Sequence, residues 1–353
     1  MRRWAHLTLP LLFLLFTGCS DRAIAPEPDL TASFAKGGKP GKPGGGGDPT
    51  PADPAIAFVA SSSSTDGSGI NNDLMVVDVD GGHPTVLVHS ETDALFFPSW
   101  SPDLNATVDG FQGSLVYERW PNNSGSNPTA VELHIVDVEV LNGVVTAAND
   151  RLFREDALVA AWSPSGDAIA FISGYPEPVG LVVGTADGLY ETLLVADPYP
   201  GDASFDVDWP AWSPDGDRVA YRYGQYSDGE PGCSIRVRDY PSGANEIIVA
   251  DHVCARGIDW SRDGTMLAYK DGSGMKLVNV AGTATPTPIA STLWTESPSW
   301  APEGSSVLVY MTRNGKSGAG KRRIVRYDRT TGSETLIIER KGYHLWEPDW
   351  RRY

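Results

Sequence analysis

Pro210-Ala211-Trp212-Ser213-Pro214-Asp215-Gly216-Asp217-Arg218-Val219-Ala220-Tyr221 is the clearest copy of a segment that recurs along this chain. Variants stand at Trp100-Ser101-Pro102-Asp103, Trp162-Ser163-Pro164-Ser165-Gly166, Trp260-Ser261-Arg262-Asp263-Gly264 and Trp300-Ala301-Pro302-Glu303-Gly304, and Glu347-Pro348-Asp349-Trp350 is a last, partial copy. Each copy reads as strand, tight turn, strand. Pro fixes φ near the value a turn needs, Asp can bond its own backbone, and Gly accepts positive φ. Short apolar β-formers follow, as in Ala168-Ile169-Ala170-Phe171 and Met266-Leu267-Ala268-Tyr269. The Trp residues are 62, 50, 48, 40 and 50 positions apart, a period that implies blade or solenoid units. Two more strand-like runs lie between copies, for example Ser234–Arg238 and Glu246–Val249. Four strands per unit make a propeller blade.

These residues resemble the WD40-like Pro-Asp repeat of TolB-type β-propellers, whose signature is Pro-x-Trp-Ser-Pro-Asp-Gly followed by an Ile-Ala-Phe-like strand. The resemblance covers about residues 55–353 and implies an all-β, six-bladed propeller of four-stranded antiparallel blades. It implies envelope protein partners, although the extra N-terminal domain of TolB has no counterpart here. Arg262 for Pro and Ala301 for Ser depart from the pattern and weaken two turns. The repeated Trp100, Trp162, Trp212, Trp260, Trp300 and Trp350 are read as structural.

The first strand-like run after residue 54, Ala55–Ala60, matches the second strand of a blade, and Leu74–Val79 and Thr85–Val88 continue as its third and fourth. The missing first strand is expected from the C-terminus, around Leu345–Arg352. Such pairing of the two chain ends leaves the ring without an open edge.

Residues 1–18 read as a lipoprotein signal peptide. Arg2 and Arg3 precede an apolar run from Leu7 to Phe16 that is too short to span a bilayer. Phe16-Thr17-Gly18-Cys19 looks like a lipobox with Cys19 as the lipidated residue; ordinary signal cleavage beside an incidental Cys is the alternative. Ser20 in place of Asp favours sorting to the outer membrane, on its periplasmic or outer surface. Residues 19–54 form a Gly/Pro-rich tether with four consecutive Gly at 44–47 and little apolar surface to bury. Of the three Cys, Cys233 and Cys254 remain. An oxidising compartment favours a disulfide between them; a metal pair of His252 and Cys254 is the weaker reading, lacking further ligands at suitable spacing.

Formal charge is 28 minus 45, or −17. That balance disfavours nucleic acid and anionic lipid headgroups. In a propeller the first-to-second and third-to-fourth turns share one face, and here they are short. The second-to-third and blade-to-blade connections share the other face and are longer, so that face is the candidate site. It is expected to carry Trp120, Tyr175, Tyr199, Tyr226, Trp294, Tyr343, His344 and Trp346, about half of them packed as ordinary core. Aromatic groups in a concave acidic setting suit sugar rings or peptide side chains. Asp206, Asp208, Asp259, Glu296, Glu347 and Asp349 are candidates to line the central channel.

Gly315-Lys316-Ser317-Gly318-Ala319-Gly320-Lys321 imitates part of a phosphate loop, yet Arg322 stands where Ser or Thr would hold Mg²⁺ and no strand-to-helix context surrounds it. Asp78–Gly82 starts like a Ca²⁺ loop but lacks the later ligands. No Gly-x-Ser-x-Gly elbow occurs, and no catalytic, metal or cofactor site is implied. The leading expectation is a monomeric, lipid-anchored, non-catalytic propeller that binds an envelope protein or glycan. The alternative is a polysaccharide hydrolase or lyase with carboxylates at the channel mouth. A purely structural spacer is the third.

Overall fold

The computed structural model describes residues 53–351 other than 64–69, 103–109, 122–130, 175–178, 199–206, 225, 228–229, 282–284, 291–294, 303 and 314–321. The described residues form six four-stranded antiparallel sheets in a ring, with no helix among them. Blade 1 contains Ala94–Trp100, Gly110–Trp120, Glu132–Leu141 and Val144–Glu155. Blade 2 contains Ala157–Trp162, Ala168–Ser173, Gly180–Thr185 and Glu191–Ala196. Blade 3 is Val207–Trp212, Arg218–Tyr223, Ser234–Asp239 and Glu246–Ala250, and blade 4 is Arg256–Trp260, Met266–Asp271, Gly274–Asn279 and Thr287–Ala290. Blade 5 is Glu296–Trp300, Val307–Arg313, Arg322–Asp328 and Ser333–Glu339. The fold is a six-bladed β-propeller.

Blade 6 is stitched from both ends of the chain. His344–Trp350 supplies its inner strand and pairs with Pro54–Ser63, which Ile70–Asp78 and Thr85–Ser90 follow. Ile56 faces Trp350 and Ser61 faces His344 in that pairing. Arg351 then donates its backbone N–H to the Ala55 carbonyl at 2.7 Å and its Nη2 to Asp53 at 2.6 Å.

Burial follows position in the blade. Second strands have neighbouring blades on both faces, so Ala168–Ser173 is buried along its whole length. Outer strands face solvent, and Val144–Glu155 is mostly exposed. The apolar cores lie between blades. Ile56 and Phe58 of blade 6 pack with Val309 and Ile324 of blade 5, and Ala211 and Ile235 of blade 3 pack with Trp260 and Leu267 of blade 4. An aromatic recurs in each second strand, at Phe58, Tyr117, Phe171, Tyr221, Tyr269 and Tyr310, and all six are fully buried.

Three of the repeat's Trp residues join blades through their indole N–H, while the indole N–H groups of Trp100 and Trp162 are buried without an acceptor among the described residues. Trp212, Trp260 and Trp300 donate Nε1 to the carbonyls of Ala161, Ala211 and Asp259 in the preceding blade, at 3.1, 3.0 and 3.3 Å. The turns that follow Trp162, Trp212 and Trp260 are tied internally. Ser213 and Asp215 bond one another, Ser261 donates to Asp263 at 2.7 Å, and Ser163 donates to Asp167 at 3.0 Å.

Candidate functional site: the long-connection mouth of the channel

Each inner strand slips register three residues before its Trp, for instance between Phe96 and Ser99 and between Asp208 and Ala211. The slipped residue has positive φ in all six blades: Phe97 47°, Val159 42°, Trp209 57°, Gly257 57°, Ser297 51° and Glu347 53°. Such bulges re-aim side chains. Pro follows at 98, 210, 298 and 348, where its missing N–H costs no ladder bond. At Gly257 an added Cβ would sit 2.9 Å from Ser297 Cα, so glycine serves both the positive φ and the close approach of blade 5.

These six positions line a channel cavity of about 110 Å³. Its walls differ by side. Phe97 and Trp209, from blades 1 and 3, meet edge to face at 4.9 Å between ring centroids and narrow the apolar side. Gly257, Ser297 and Glu347 line the other.

An inner strand presents unpaired N–H groups to the channel, and buried donors require acceptors. The channel carboxylates supply them across blade boundaries. Asp349 of blade 6 accepts from Trp100 N at 2.8 Å, Asp259 of blade 4 from Trp300 N at 2.8 Å, and Glu347 of blade 6 from Phe97 N at 2.7 Å. Glu118 of blade 1 accepts from Val159 N at 2.6 Å and from Trp120 Nε1 at 2.8 Å. Asp208 accepts from Trp209 N and pairs with Arg222 at 3.1 Å, and Glu296 pairs with Lys270 at 3.4 Å.

Burial pushes the Glu118 and Asp349 carboxyls up to about 7 and Asp208 up to about 6. Burial also drives Glu347 well above the usual carboxylate range, with the Glu118 and Glu296 charges adding to it. The desolvated charged form is disfavoured in each case.

Of the aromatic candidates, four are described with their side chains. Trp120 packs edge-on against Phe96 at 5.5 Å. Trp346 donates Nε1 to Ser61 at 3.0 Å, and the exposed His344 ring lies 6.4 Å from it. Tyr343 is half-buried under the Arg340 guanidinium, against the blade 5–6 core. The backbone of Tyr226 pairs with Pro231 in a two-stranded ribbon between the second and third strands of blade 3. Tyr175, Tyr199, Trp294 and Asp206 lie outside the described residues, as do Cys19, the signal segment and most of the tether. Cys233 and Cys254 are joined by a 1.96 Å S–S bond that ties the start of the third strand of blade 3 to the connection leading into blade 4.

The mouth is more basic than net charge −17 suggests. Arg222, Lys270, Arg313 and Arg322 stand at the ends of second strands or the start of a third, among the carboxylates. Arg313 and Arg322 face each other across the ladder of blade 5. Arg322 is 8% exposed, its guanidinium lies over the Trp346 ring, and its Nε and Nη1 have no hydrogen-bond acceptor. Burial, and then the Arg313 charge, lower Arg322 to about 10. His344 is lowered as well, by burial and by both arginines. Among the described residues no group of three or more His, Cys, Asp or Glu is placed to hold a metal ion.

Comparison with known proteins agrees with this architecture. TolB from Acinetobacter baumannii superposes with a TM-score of 0.62 at 18% identity, over 84% of this chain and 66% of that one. A putative TolB from Agrobacterium tumefaciens gives 0.51 at 14%, over 84% of this chain and 99% of that one. The fold is TolB-like. A periplasmic gluconolactonase of Pseudomonas aeruginosa reaches only 0.46 at 14% identity, over 81% of this chain and 83% of that one, and decides nothing about chemistry. This chain spans about two thirds of the Acinetobacter TolB chain, and identities this low carry the fold alone. No family model matches the sequence, and no curated protein does.

Proposed function

We propose that this protein is a non-catalytic binding propeller, anchored through Cys19 at the bacterial outer membrane, that receives an envelope protein on its long-connection mouth. One contrast carries the reading. On the short-turn face the Ser and Asp side chains in the turns after Trp162, Trp212 and Trp260 are engaged within their own turns. At the mouth, half-exposed Trp120 and Trp346, exposed His344 and an acceptor-less Arg322 surround the opening. Directional polar groups and aromatic faces around a rigid concavity are what recognition sites offer. The Gly/Pro-rich tether and the signal segment support the extracytoplasmic address.

The carboxylates that a polysaccharide hydrolase or lyase would need are engaged as acceptors for the inner strands of neighbouring blades. That use favours binding over catalysis.

The test is in-cell photo-crosslinking of the anchored protein from two positions, His344 at the mouth and Tyr190 on the short-turn side. A protein adduct from His344, weakened by a Trp120→Ala/Trp346→Ala double substitution, is expected. An adduct from Tyr190 alone would place recognition on the other face. Turnover of an envelope polysaccharide, abolished by Glu118→Gln or Glu347→Gln, would replace binding with catalysis.

A further inference from the structure

Arg322 presents a problem that the propeller itself does not solve. Its side chain is more than nine-tenths buried, and two of its three nitrogens lack acceptors. Among the described residues no carboxylate forms an ion pair with it. Glu296, on the neighbouring inner strand, is paired with Lys270. Glu347 accepts the Phe97 N–H and is held toward its neutral form by burial. A second guanidinium, Arg313, sits opposite Arg322 in the ladder, and His344 completes a basic corner against the Trp346 ring. A buried cation without an anion is costly, because its lost hydration is not replaced. The neighbouring Arg313 charge adds to that cost for Arg322.

We propose that this corner, formed by Arg313, Arg322, His344 and Trp346, is a carboxylate-binding subsite that takes an acidic side chain or chain end of a protein partner. Guanidinium N–H groups match carboxylate oxygens in direction and charge, and the bond is stronger out of water. A uronic sugar carries the same carboxylate, and the galacturonate probe below separates that source from a protein one. The subsite rests on the binding reading given above and names the charge that its partner must bring.

The experiment is a side-chain ¹⁵N NMR titration of the mature chain with four probes. They are an acetylated Gly-Asp amide, its Gly-Asn counterpart, sodium galacturonate and sodium sulfate. The Arg322 Nε–Hε signal is expected to move saturably with the Asp peptide, at least tenfold more tightly than with sulfate, and to ignore the Asn peptide. In Arg322→Met the His344 ring signals should lose their response to the Asp peptide. Because an unpaired buried charge is removed, the Tm of that variant should not fall.

Failure of the wild-type Arg322 signal to respond to the Asp peptide overturns the proposal, whether or not the variant folds. Equal response to sulfate means an adventitious ion only, and tighter binding of galacturonate overturns the protein source. Crosslinking from His344 separates the two readings. A partner captured equally by wild type and Arg322→Gln leaves the binding function standing and removes the subsite. No partner in wild type removes the function, while the titration still decides the subsite.

Discussion

The tyrosines repeated in the second strands show how one side chain at one position is used unequally. Tyr221 donates its hydroxyl to Glu246, which Arg236 and Arg238 also hold, at 2.8 and 3.1 Å. Tyr117 donates to Asp150 at 2.8 Å, whereas the Tyr269 hydroxyl is buried without a partner. Tyr221→Phe is therefore expected to cost about 1 kcal/mol, and Tyr269→Phe to cost nothing or to stabilise by up to about 1 kcal/mol. Urea denaturation of the two variants beside wild type checks both. The channel carboxylates give a pH dependence of definite sign. Glu118, Asp208, Glu347 and Asp349 all have folded-state values raised above their unfolded ones. Their contribution is fully present below about pH 4 and is lost as pH rises through their folded values, near 6 to 7 for the three with stated magnitudes. His134, raised by its bonds to Asp150 and Glu132 against the lowering effect of burial, adds in the same sense; His344, lowered, opposes it. Thermal unfolding should thus show a higher Tm at pH 5 than at pH 8. Glu118→Gln, which keeps an acceptor for Val159 N–H, should flatten that slope.

At the scale of the strand, the inner strand His344–Trp350 has more to do than its length suggests. It pairs with Pro54–Ser63, and its Glu347 and Asp349 cap the N–H groups of Phe97 and Trp100 in blade 1. Its Trp350 N–H donates to Ser299 of blade 5 at 2.9 Å. Deleting residues 344–353 should abolish cooperative unfolding of the whole ring, read by circular dichroism, instead of trimming one blade. The repeat made this strand legible in the sequence, because Trp350 keeps its spacing and Ala55–Ala60 matches a second strand that has no partner upstream. The turns were legible for the same reason, since Ser, Pro, Asp and Gly act locally. The basic corner was not. Arg313 and Arg322 become neighbours only through a hairpin register, and Arg322 meets Trp346 only when the next blade closes against it. Carboxylates near the inner strands could be named from sequence, but their role as acceptors for the next blade depends on a bulge that no residue pattern announces, since Phe, Val, Trp, Gly, Ser and Glu all occupy it.

Across the whole molecule, stability is distributed over six interfaces, and the interface between blades 5 and 6 includes the only blade assembled from distant chain segments. The residues around that seam have the dimensions of an ordinary turn. Six residues, 213 to 218, separate the paired Trp212 and Val219, and six, 261 to 266, separate Trp260 and Leu267. Joining Tyr353 directly to Asp53 would also place six residues, 351 to 353 and 53 to 55, between the paired Trp350 and Ile56. A circular permutant made that way and reopened within the turn after Trp212 should fold to the same ring, as surface sites with adjacent ends permit. Matching far-ultraviolet spectra and a Tm near that of the linear chain would establish it; an aggregated or molten product would show that the order of synthesis matters.

The placement of the seam also sets a direction. Pro54–Ser63 runs from the short-turn side toward the mouth, as its pairing of Ile56 with Trp350 and Ser61 with His344 shows. Whatever precedes Asp53 leaves the domain on the side opposite the Arg322 corner. An attachment through the N-terminal end would therefore join the domain on its short-turn side and leave the opening clear of the connecting chain.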